Sequence, residues 1–309
     1  MIATVTLNPC LDKVVAVDGL IVDEANRWTS LDRYPGGKGI DVSRSVHELG
    51  GTTTAYGFIG GFYGMLVQRL LDKEGVPFSF TQIEQETRTN FIITDTRTYR
   101  QTRINAPGPH ISKTELERLR RKIRNVPNPD FLVFSGSVPP GVPDDIYKQL
   151  IQKAKERNVK TVLDADGQWL REGIKAKPYL IKPNIHETEQ LLDTELATED
   201  AIIRAASKLI EDGIEIVVIS RGKNGLIAAN KGSILKVISP QVEVLSTVGA
   251  GDSTVAGLLL KLAEGKPLSE ACRYAAAAGT AAVLTSGTEL CHRGDVERLF
   301  PQVKIEEIS

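Results

Sequence analysis

Features that are scarce in this 309-residue sequence exclude several classes of protein. Its three cysteines, Cys10, Cys272 and Cys291, lie far apart and form no CxxC pair, so the sequence indicates neither a disulfide framework nor a zinc site. No apolar run approaches the roughly 20 residues that a membrane-spanning helix needs. The start, MIATVTLNPCLDK, lacks the positive and apolar regions of a signal peptide. We therefore expect a cytoplasmic protein with no membrane partner.

Net charge is also nearly absent, because 38 Lys and Arg residues oppose 39 Asp and Glu residues. No global electrostatic field would recruit a polyanion, so we expect no nucleic-acid partner, although a local basic patch could still hold a phosphate. The composition is otherwise that of an ordinary globular protein, with 41% hydrophobic and 25% charged residues.

What the sequence does contain is an alternation of short β-branched runs with amphipathic helical stretches. This pattern is typical of βαβ units and of a parallel sheet covered by helices on both faces. Ligands of such sheets collect beyond the carboxyl ends of the strands, so we expect chemistry in the segments SGSVPPG, DADG, KPNIHE and SRGKNG. The predicted strands are 130–135, 160–164, 179–182 and 215–220, and the predicted helices are 144–157, 185–192 and 198–212.

The N-terminal third has a different pattern, in which polar and apolar residues alternate over 13–34 and 89–104 without an intervening helical stretch. Two such segments can pair into one small sheet, and a β flap of this kind over a site would exclude water. There is no internal repeat and no linker rich in Pro, Gly or Ser. We therefore expect a single domain, 1–309, that carries a β lid.

The most informative motif is STVGAGDS, which we place between a strand at 241–245 and a helix at 253–264. A glycine turn that opens a helix leaves backbone N–H groups unpaired at the positive end of the helix dipole, where an anion binds. Gly249 and Gly251 permit close approach of a phosphate, and Asp252 could accept the proton of an attacking hydroxyl. The alternative is that Asp252 is a plain helix N-cap.

A second glycine turn, PGGKGIDVSR, precedes a helix predicted at 40–49. It is not a Walker P-loop, because Lys38 is followed by Gly39 rather than by Ser or Thr. Lys38 could nevertheless bind an anion. The alternative is a glycine-rich connection with a solvated lysine.

Two further motifs offer ligands for a metal ion and a phosphate. Asn184 and Glu187 lie one helical turn apart, and oxygen ligands at that spacing suit a hydrated Mg²⁺. The same pair could instead form a capping box that needs no metal. Arg88 and Asn90, in ETRTN, could hold a sugar phosphate, because a guanidinium matches phosphate oxygens bidentately, but a lone surface arginine is the commoner case.

Taken together and in order, eight segments resemble those of the PfkB (ribokinase-like) carbohydrate kinase family over essentially the whole chain. They are LNPCLDK, PGGKGIDVSR, ETRTN, FSGSVPPG, LDADG, KPNIHE, VISRGKNG and STVGAGDS. Within the family the chain is most similar to the phosphofructokinase and tagatose-6-phosphate kinase branch, and its tail AAAAGTAAVLTSGTELC is similar to that of the minor bacterial 6-phosphofructokinases. The resemblance implies an α/β fold with three α/β/α layers, a mostly parallel central sheet and a small β-sheet lid.

The resemblance also implies ATP and Mg²⁺ as cofactors, a phosphosugar as substrate, a homodimer formed through the lid, and a role for each candidate residue. The implied base is Asp252, beside an anion hole of Gly249, Ala250 and Gly251, with Asn184 and Glu187 supporting Mg²⁺. The implied phosphosugar ligands are Asp12, Arg27, Gly37, Lys38, Asp41, Arg88 and Asn90. The implied nucleotide ligands are Lys182, Ser220, Gly222, Gly225, Ala277 and Gly279.

The expected activity is transfer of phosphate from ATP to fructose 6-phosphate, which gives fructose 1,6-bisphosphate. The alternatives are a 1-phosphofructokinase, a tagatose-6-phosphate kinase, a kinase of a nucleoside or a plain sugar, or a non-catalytic protein on a kinase fold. Asp41 is a departure, because the family usually has Asn there and a carboxylate repels a phosphosugar unless it faces a hydroxyl. A Rossmann dehydrogenase is disfavoured, because Asn8-Pro9-Cys10 rather than GxGxxG follows the first strand.

Overall fold

Fourteen strands and ten α-helices alternate along residues 1–308, the part of the chain that this computed structural model describes. The strands are β1 Ile2–Thr6, β2 Cys10–Val17, β3 Trp28–Gly36, β4 Thr53–Ile59, β5 Thr81–Gln82, β6 Arg88–Asp95, β7 Gln101–Ile104, β8 Phe131–Ser135, β9 Lys160–Asp164, β10 Leu180–Ile181, β11 Ile216–Ser220, β12 Leu226–Ala229, β13 Ile234–Ile238 and β14 Lys304–Ile308. The helices are α1 Lys38–Glu48, α2 Gly61–Glu74, α3 Lys113–Arg124, α4 Ile146–Lys155, α5 Gly167–Gly173, α6 Ile185–Leu192, α7 Glu199–Glu211, α8 Ala250–Ala263, α9 Leu268–Ala282 and α10 Arg293–Leu299.

The larger sheet has ten strands in the order β14-β13-β12-β11-β10-β9-β8-β1-β4-β5. The run from β11 to β5 is parallel, whereas β12, β13 and β14 are antiparallel to their neighbours. Successive side chains of a strand point to opposite faces, so Leu132 and Phe134 join one hydrophobic core while Phe131 and Val133 join the other. Helices α3 to α7 cover the first face, and α1, α8, α9 and α10 cover the second. The predicted three-layer fold is confirmed.

The smaller sheet has four strands in the order β3-β2-β6-β7. Its two distant halves join where β2 pairs in parallel with β6, in a register that sets Asp12 opposite Asn90. Leu11 of β2 packs with Ile40 of α1 and Val67 of α2, so this sheet is fastened to the body at the edge near β4. The smaller sheet expected from the two alternating segments is therefore present.

Two predicted elements differ in the structure. Residues 241–245 form no strand; Val244 and Leu245 are exposed, and the segment runs irregularly after Pro240, which cannot donate to a ladder. The strand predicted at 179–182 is reduced to Leu180–Ile181, and Pro183, which has no N–H to donate to a ladder, follows shortly after it. Within residues 1–308, no helix combines the length and apolar character that crossing a bilayer requires.

Candidate active site

A polar cavity of about 510 Å³ opens where the parallel strands end, between the larger sheet and the smaller one. The C-terminal ends of β1, β9 and β11 contribute Thr6, Asp164 and Ser220, and β2, β6 and β7 of the smaller sheet close the opposite side. The predicted site residues that line it are Asp12, Gly37, Lys38, Asp41, Arg88, Asn90, Lys182, Asn184, Glu187, Ser220, Gly249, Gly251 and Asp252. Most of the residues implied for acceptor, metal and base therefore face one space.

The glycine turn before α8 forms part of the cavity wall. Gly249 is the N-cap of α8 with φ 75°, a left-handed conformation that favours glycine, and no side chain caps the helix. Asp252 lies in the first turn of α8 rather than at the N-cap, so the interpretation as a plain N-cap is wrong and the predicted helix start at 253 is three residues late. The first amides of α8 remain available to an anion.

Asp252 is buried and has a strongly shifted pKa. Burial and, after it, the negative charge of Asp164 raise the pKa of this carboxyl to about 7, against the opposing effect of Lys38 and Lys182. Among residues 1–308, no side chain donates a hydrogen bond to the Asp252 carboxylate. A carboxyl group with these properties can exchange a proton near neutral pH.

Asp164 is an ionised carboxylate that lies between two lysines in the wall of the cavity. Its Oδ1 lies 3.3 Å from Nζ of Lys38 and 3.7 Å from Nζ of Lys182. Burial alone would raise the pKa of Asp164, but the two lysines outweigh burial and lower it. Burial, the largest single effect, lowers the pKa of Lys38, but the combined attraction of the surrounding carboxylates, with Asp164 first among them, outweighs burial and raises it. Lys38 is therefore part of a charged network and not a solvated loop lysine.

The smaller sheet supplies an acidic and amide-rich wall. Asp12 Oδ1 accepts hydrogen bonds from Asn90 Nδ2 at 3.0 Å and from Cys10 Sγ at 3.2 Å. Burial raises the pKa of Asp12, and these two hydrogen bonds oppose the increase. Arg88 donates to the carbonyl oxygens of Asn8 and Ala106, at 2.9 and 2.7 Å, so part of its guanidinium is bound to backbone.

Asp41, the departure from the usual family residue, is paired with a buried arginine. Arg44 Nη1 lies 3.2 Å from Asp41 Oδ1, while Nε and Nη2 donate to both carboxylate oxygens of Glu74 at 2.7 and 2.9 Å. The same Nη1 also donates to the carbonyl oxygen of Thr288 at 3.0 Å. Burial raises the pKa of Asp41, and Arg44 opposes this effect.

A neighbouring cleft of about 470 Å³ adjoins the polar cavity across the start of α8. Ser220, Gly222, Gly225, Ala250 and Gly279 of the predicted set line it. Ala277 does not, because it is fully buried on the core face of α9, and the cleft face of that helix instead presents Ala276, Gly279, Thr280 and Val283. Ser220, Thr247 and Gly251 line both spaces, so the two are continuous.

Asn184 and Glu187 form the capping box that the sequence left as an alternative. Asn184 Oδ1 accepts from the Glu187 amide at 2.8 Å, and Glu187 Oε2 accepts from the Asn184 amide at 2.9 Å. Both residues also line the polar cavity, and Glu187 Oε1 takes no part in the box. The capping role therefore leaves a carboxylate oxygen available there.

Other positions differ from the expectation. Arg27 is exposed just before β3 and does not line the polar cavity. Arg103 and Asp166 do line it, although neither was singled out from the sequence. Asp166 lies in the DADG segment that strand order had marked, whereas Arg103 had only its place at the end of an alternating stretch as a signal.

Comparison with known proteins identifies the family. Residues 5–293 match the family described as pfkB family carbohydrate kinase. The chain belongs to the PfkB family. A 1-phosphofructokinase of Borreliella burgdorferi is 36% identical, with 100% of this chain and 99% of the relative covered. The ATP-dependent 6-phosphofructokinase isozyme 2 of Mycobacterium tuberculosis strain CDC 1551 is 37% identical, with 97% and 88% covered.

Solved structures agree with this assignment. The Escherichia coli phosphofructokinase-2, solved in complex with substrates and products, superimposes with a TM-score of 0.94 at 34% identity, covering 97% of this chain and 98% of that one. As a PfkB kinase, the protein is a phosphotransferase with an alcohol acceptor, and family membership implies a phosphosugar and ATP as its substrates. The resemblance seen in the sequence is confirmed.

Proposed function

We propose that this PfkB protein transfers the γ-phosphoryl group of ATP to a free primary hydroxyl of a ketose phosphate, with fructose 6-phosphate as the expected acceptor. The observation that carries the proposal is the buried Asp252 carboxyl, which faces the polar cavity beside the glycine turn that leads into the neighbouring cleft. A binding protein would have no use for a proton acceptor with a pKa near 7 at this point.

The two spaces suit the two substrates. The neighbouring cleft, with an apolar wall from α9 and glycines at 222 and 225, would hold the nucleotide. The polar cavity would hold the phosphosugar, with Asp12 and Asn90 toward its hydroxyls and Arg88 and Lys38 toward its phosphate. The join between the spaces, at Thr247 and Gly251, would then be where the phosphoryl group passes.

In the proposed reaction Asp252 accepts the hydroxyl proton as the oxygen attacks the γ-phosphorus, and the bond from that phosphorus to the β,γ-bridging oxygen breaks so that ADP leaves. The amides of Gly249, Ala250 and Gly251 donate to the oxygens of the transferring group, where charge accumulates. The smaller sheet acts as a lid that keeps water from competing with the sugar hydroxyl. The charged network of Lys38, Asp164 and Lys182 fixes the two lysines below the site.

The residues present fit a hydrated Mg²⁺ near Glu187. Asp164 Oδ2 is buried and has no hydrogen-bond partner, and Glu187, whose Oε1 is not used in the capping box, lines the same cavity. Together with Asn184 these oxygens would hold the ion largely through water, as Mg²⁺ prefers. When bound, the ion would neutralise phosphate charge.

A homodimer formed through the lid is the assembly that we expect. Trp28 and Ile104 of the smaller sheet are 62% and 55% exposed, and Phe62 and Met65 of the adjoining α2 are 65% and 62% exposed. Large exposed apolar side chains on the smaller sheet and on the helix beside it favour an interface. Light scattering should give twice the mass of the chain, and Trp28→Asp should lower the measured mass toward that of a monomer. A wild-type protein that is monomeric at all concentrations would refute the dimer.

The acceptor is tested by coupled ADP release with Mg-ATP against fructose 6-phosphate, fructose 1-phosphate, tagatose 6-phosphate, fructose, ribose and adenosine. We expect strong turnover with one ketose phosphate, and fructose 6-phosphate is the first candidate. Preference for fructose 1-phosphate or tagatose 6-phosphate would change the acceptor but not the reaction. Activity only with an unphosphorylated compound, or with none, would refute the proposal.

A further inference from the structure

We propose that Arg103, on β7 of the smaller sheet, is a catalytic residue that binds the transferring phosphoryl group in the course of the proposed reaction. This inference rests on the proposed function. It starts from the position of the guanidinium, whose Nη2 lies 3.2 Å from Oγ1 of Thr247. Thr247 is two residues before Gly249 and lines both the polar cavity and the neighbouring cleft. Arg103 is therefore at the join between the two spaces.

The charges around the cavity create a need for a cation there. Six acidic residues line it against four basic ones, and both proposed substrates bring further negative charge. The acidic residues are Asp12, Asp41, Asp164, Asp166, Glu187 and Asp252, and the basic ones are Lys38, Arg88, Arg103 and Lys182.

Three of the four basic side chains are already engaged. Lys38 and Lys182 both lie against Asp164, and Arg88 donates through three nitrogens to two backbone carbonyls. Arg103 makes one hydrogen bond, to a neutral hydroxyl, and among residues 1–308 no carboxylate forms an ion pair with it. It is thus the cation of the cavity with most donors left for a ligand.

Strand β7 holds this cation next to the glycine turn. Besides the contact of Arg103 with Thr247, Gln101 Oε1 lies 3.5 Å from Ser246 Oγ, so β7 touches the glycine-turn segment twice. A guanidinium at this place would donate two hydrogen bonds to phosphoryl oxygens and offset the charge that develops during transfer. A phosphate could also come from the acceptor, and the experiment below separates the two sources.

Steady-state kinetics with Arg103→Ala test the catalytic role. We expect kcat to fall about 100-fold with little change in KM for the acceptor, as for loss of one transition-state donor. Arg103→Lys should recover part of kcat, and added guanidinium should partly rescue Arg103→Ala. Arg100→Ala, which changes an exposed arginine in the connection just before β7 that does not line the cavity, should behave as wild type.

A binding measurement, which does not depend on turnover, shows whether Arg103 contacts the γ-phosphoryl group of the nucleotide or the phosphate of the acceptor. Arg103→Ala should weaken AMP-PNP by about tenfold while ADP and fructose 6-phosphate change by less than about twofold, since a hydrogen bond to a charged group is lost only with the γ-phosphoryl. Thr247→Val removes the contact with Arg103 but keeps the guanidinium, so it should weaken AMP-PNP binding less than Arg103→Ala does.

Three results would overturn the proposal. A raised acceptor KM with unchanged kcat would assign Arg103 to the phosphate of the sugar. If Arg103→Ala weakened ADP and AMP-PNP equally, the contact between Arg103 and Thr247 would be merely structural. The same conclusion would follow if Thr247→Val weakened AMP-PNP as much as Arg103→Ala does. If the wild type phosphorylates no sugar phosphate, the proposed function fails, but the AMP-PNP comparison still decides whether Arg103 binds the terminal phosphate.

Discussion

The glycine turns before α1 and α8 are alike locally and differ in what surrounds them. Gly37 and Gly249 are both N-caps with positive φ, at 113° and 75°, and each helix carries an aspartate in its first turn. Asp41, which follows the glycine turn before α1, forms an ion pair with Arg44 at 3.2 Å. Asp252, which follows the glycine turn before α8, has no ion-pair partner within residues 1–308, and its pKa is raised to about 7.

The two carboxylates therefore differ in their partners, and we expect this difference, rather than the turn itself, to separate their roles. Burial raises the pKa of both aspartates. At Asp41 a guanidinium fixes the side chain and compensates its charge, so this residue is suited to shape a pocket. At Asp252 the lysines are more distant and the carboxyl remains free to accept a proton.

The largest effect should follow Asp252→Asn. We expect kcat to fall by about 10²-fold or more, in line with the loss of a general base, while AMP-PNP binds with nearly unchanged affinity. Turnover and calorimetric titration of the same preparation measure both quantities. The proposed difference between the two aspartates would be contradicted if Asp41→Asn lowered kcat as much as Asp252→Asn, or if Asp252→Asn kept the wild-type kcat.

Substitutions of Gly249 and Gly37 should affect different kinetic parameters. A Cβ at Gly249 would lie 2.2 Å from Leu290 Cδ2, and a Cβ at Gly37 would lie 2.8 Å from Thr6 Cγ2 and 3.2 Å from Pro9 Cα. Gly249→Ala displaces the amides of the proposed anion hole and should lower kcat by about 10- to 100-fold. Gly37→Ala should mainly raise KM for the phosphosugar.

Leu290→Ala provides the control for the contact at Gly249. The double variant relieves the clash but keeps alanine in a left-handed conformation. Partial recovery of kcat is therefore expected. Identical effects of the two glycine substitutions on kcat and KM would contradict a division of labour between the turns.

Asp41→Asn should have the smallest effect. Removing a negative charge beside a phosphosugar should lower its KM by about threefold at low ionic strength, and the change should shrink as salt is added. Arg44 keeps its bidentate contact with Glu74, so the local fold should survive. A KM raised tenfold would instead mean that Asp41 accepts a hydrogen bond from the sugar.

Local patterns predicted the sheet, and glycine turns, strand ends and the family resemblance together predicted most of the residues that line the polar cavity. Strand 160–164 and helix 185–192 have the predicted bounds, and strand order placed the DADG and KPNIHE segments at one edge. The pattern at 241–245 was misleading, because its alternating apolar residues border a cleft and do not enter a ladder. Local pattern cannot distinguish these two uses of an extended segment.

The features of the site that the sequence did not predict depend on contacts between residues that are far apart in the chain. That Lys38 meets Asp164, 126 residues away, and that Arg103 meets Thr247, 144 residues away, depends on how the sheets are assembled. Ala277 was also taken from the resemblance, but it is fully buried, and a stretch of four alanines gives no signal of which helix face is buried. Arg27 was carried over from the resemblance, and the structure leaves it outside the cavity.

The central claim is that Asp252 is the base, and the pH dependence of kcat/KM for the acceptor tests it most directly. The carboxyl must be ionised to accept a proton, so activity should rise with pH and level off above an apparent pKa of about 7. The residual activity of Asp252→Asn serves as the reference, because it shares the ionisation of the substrates. We predict that the ratio of wild-type to variant kcat/KM increases about tenfold per pH unit below pH 7. A ratio that is constant between pH 5.5 and pH 8.5, roughly the range over which such a group would titrate, would contradict the assignment of Asp252.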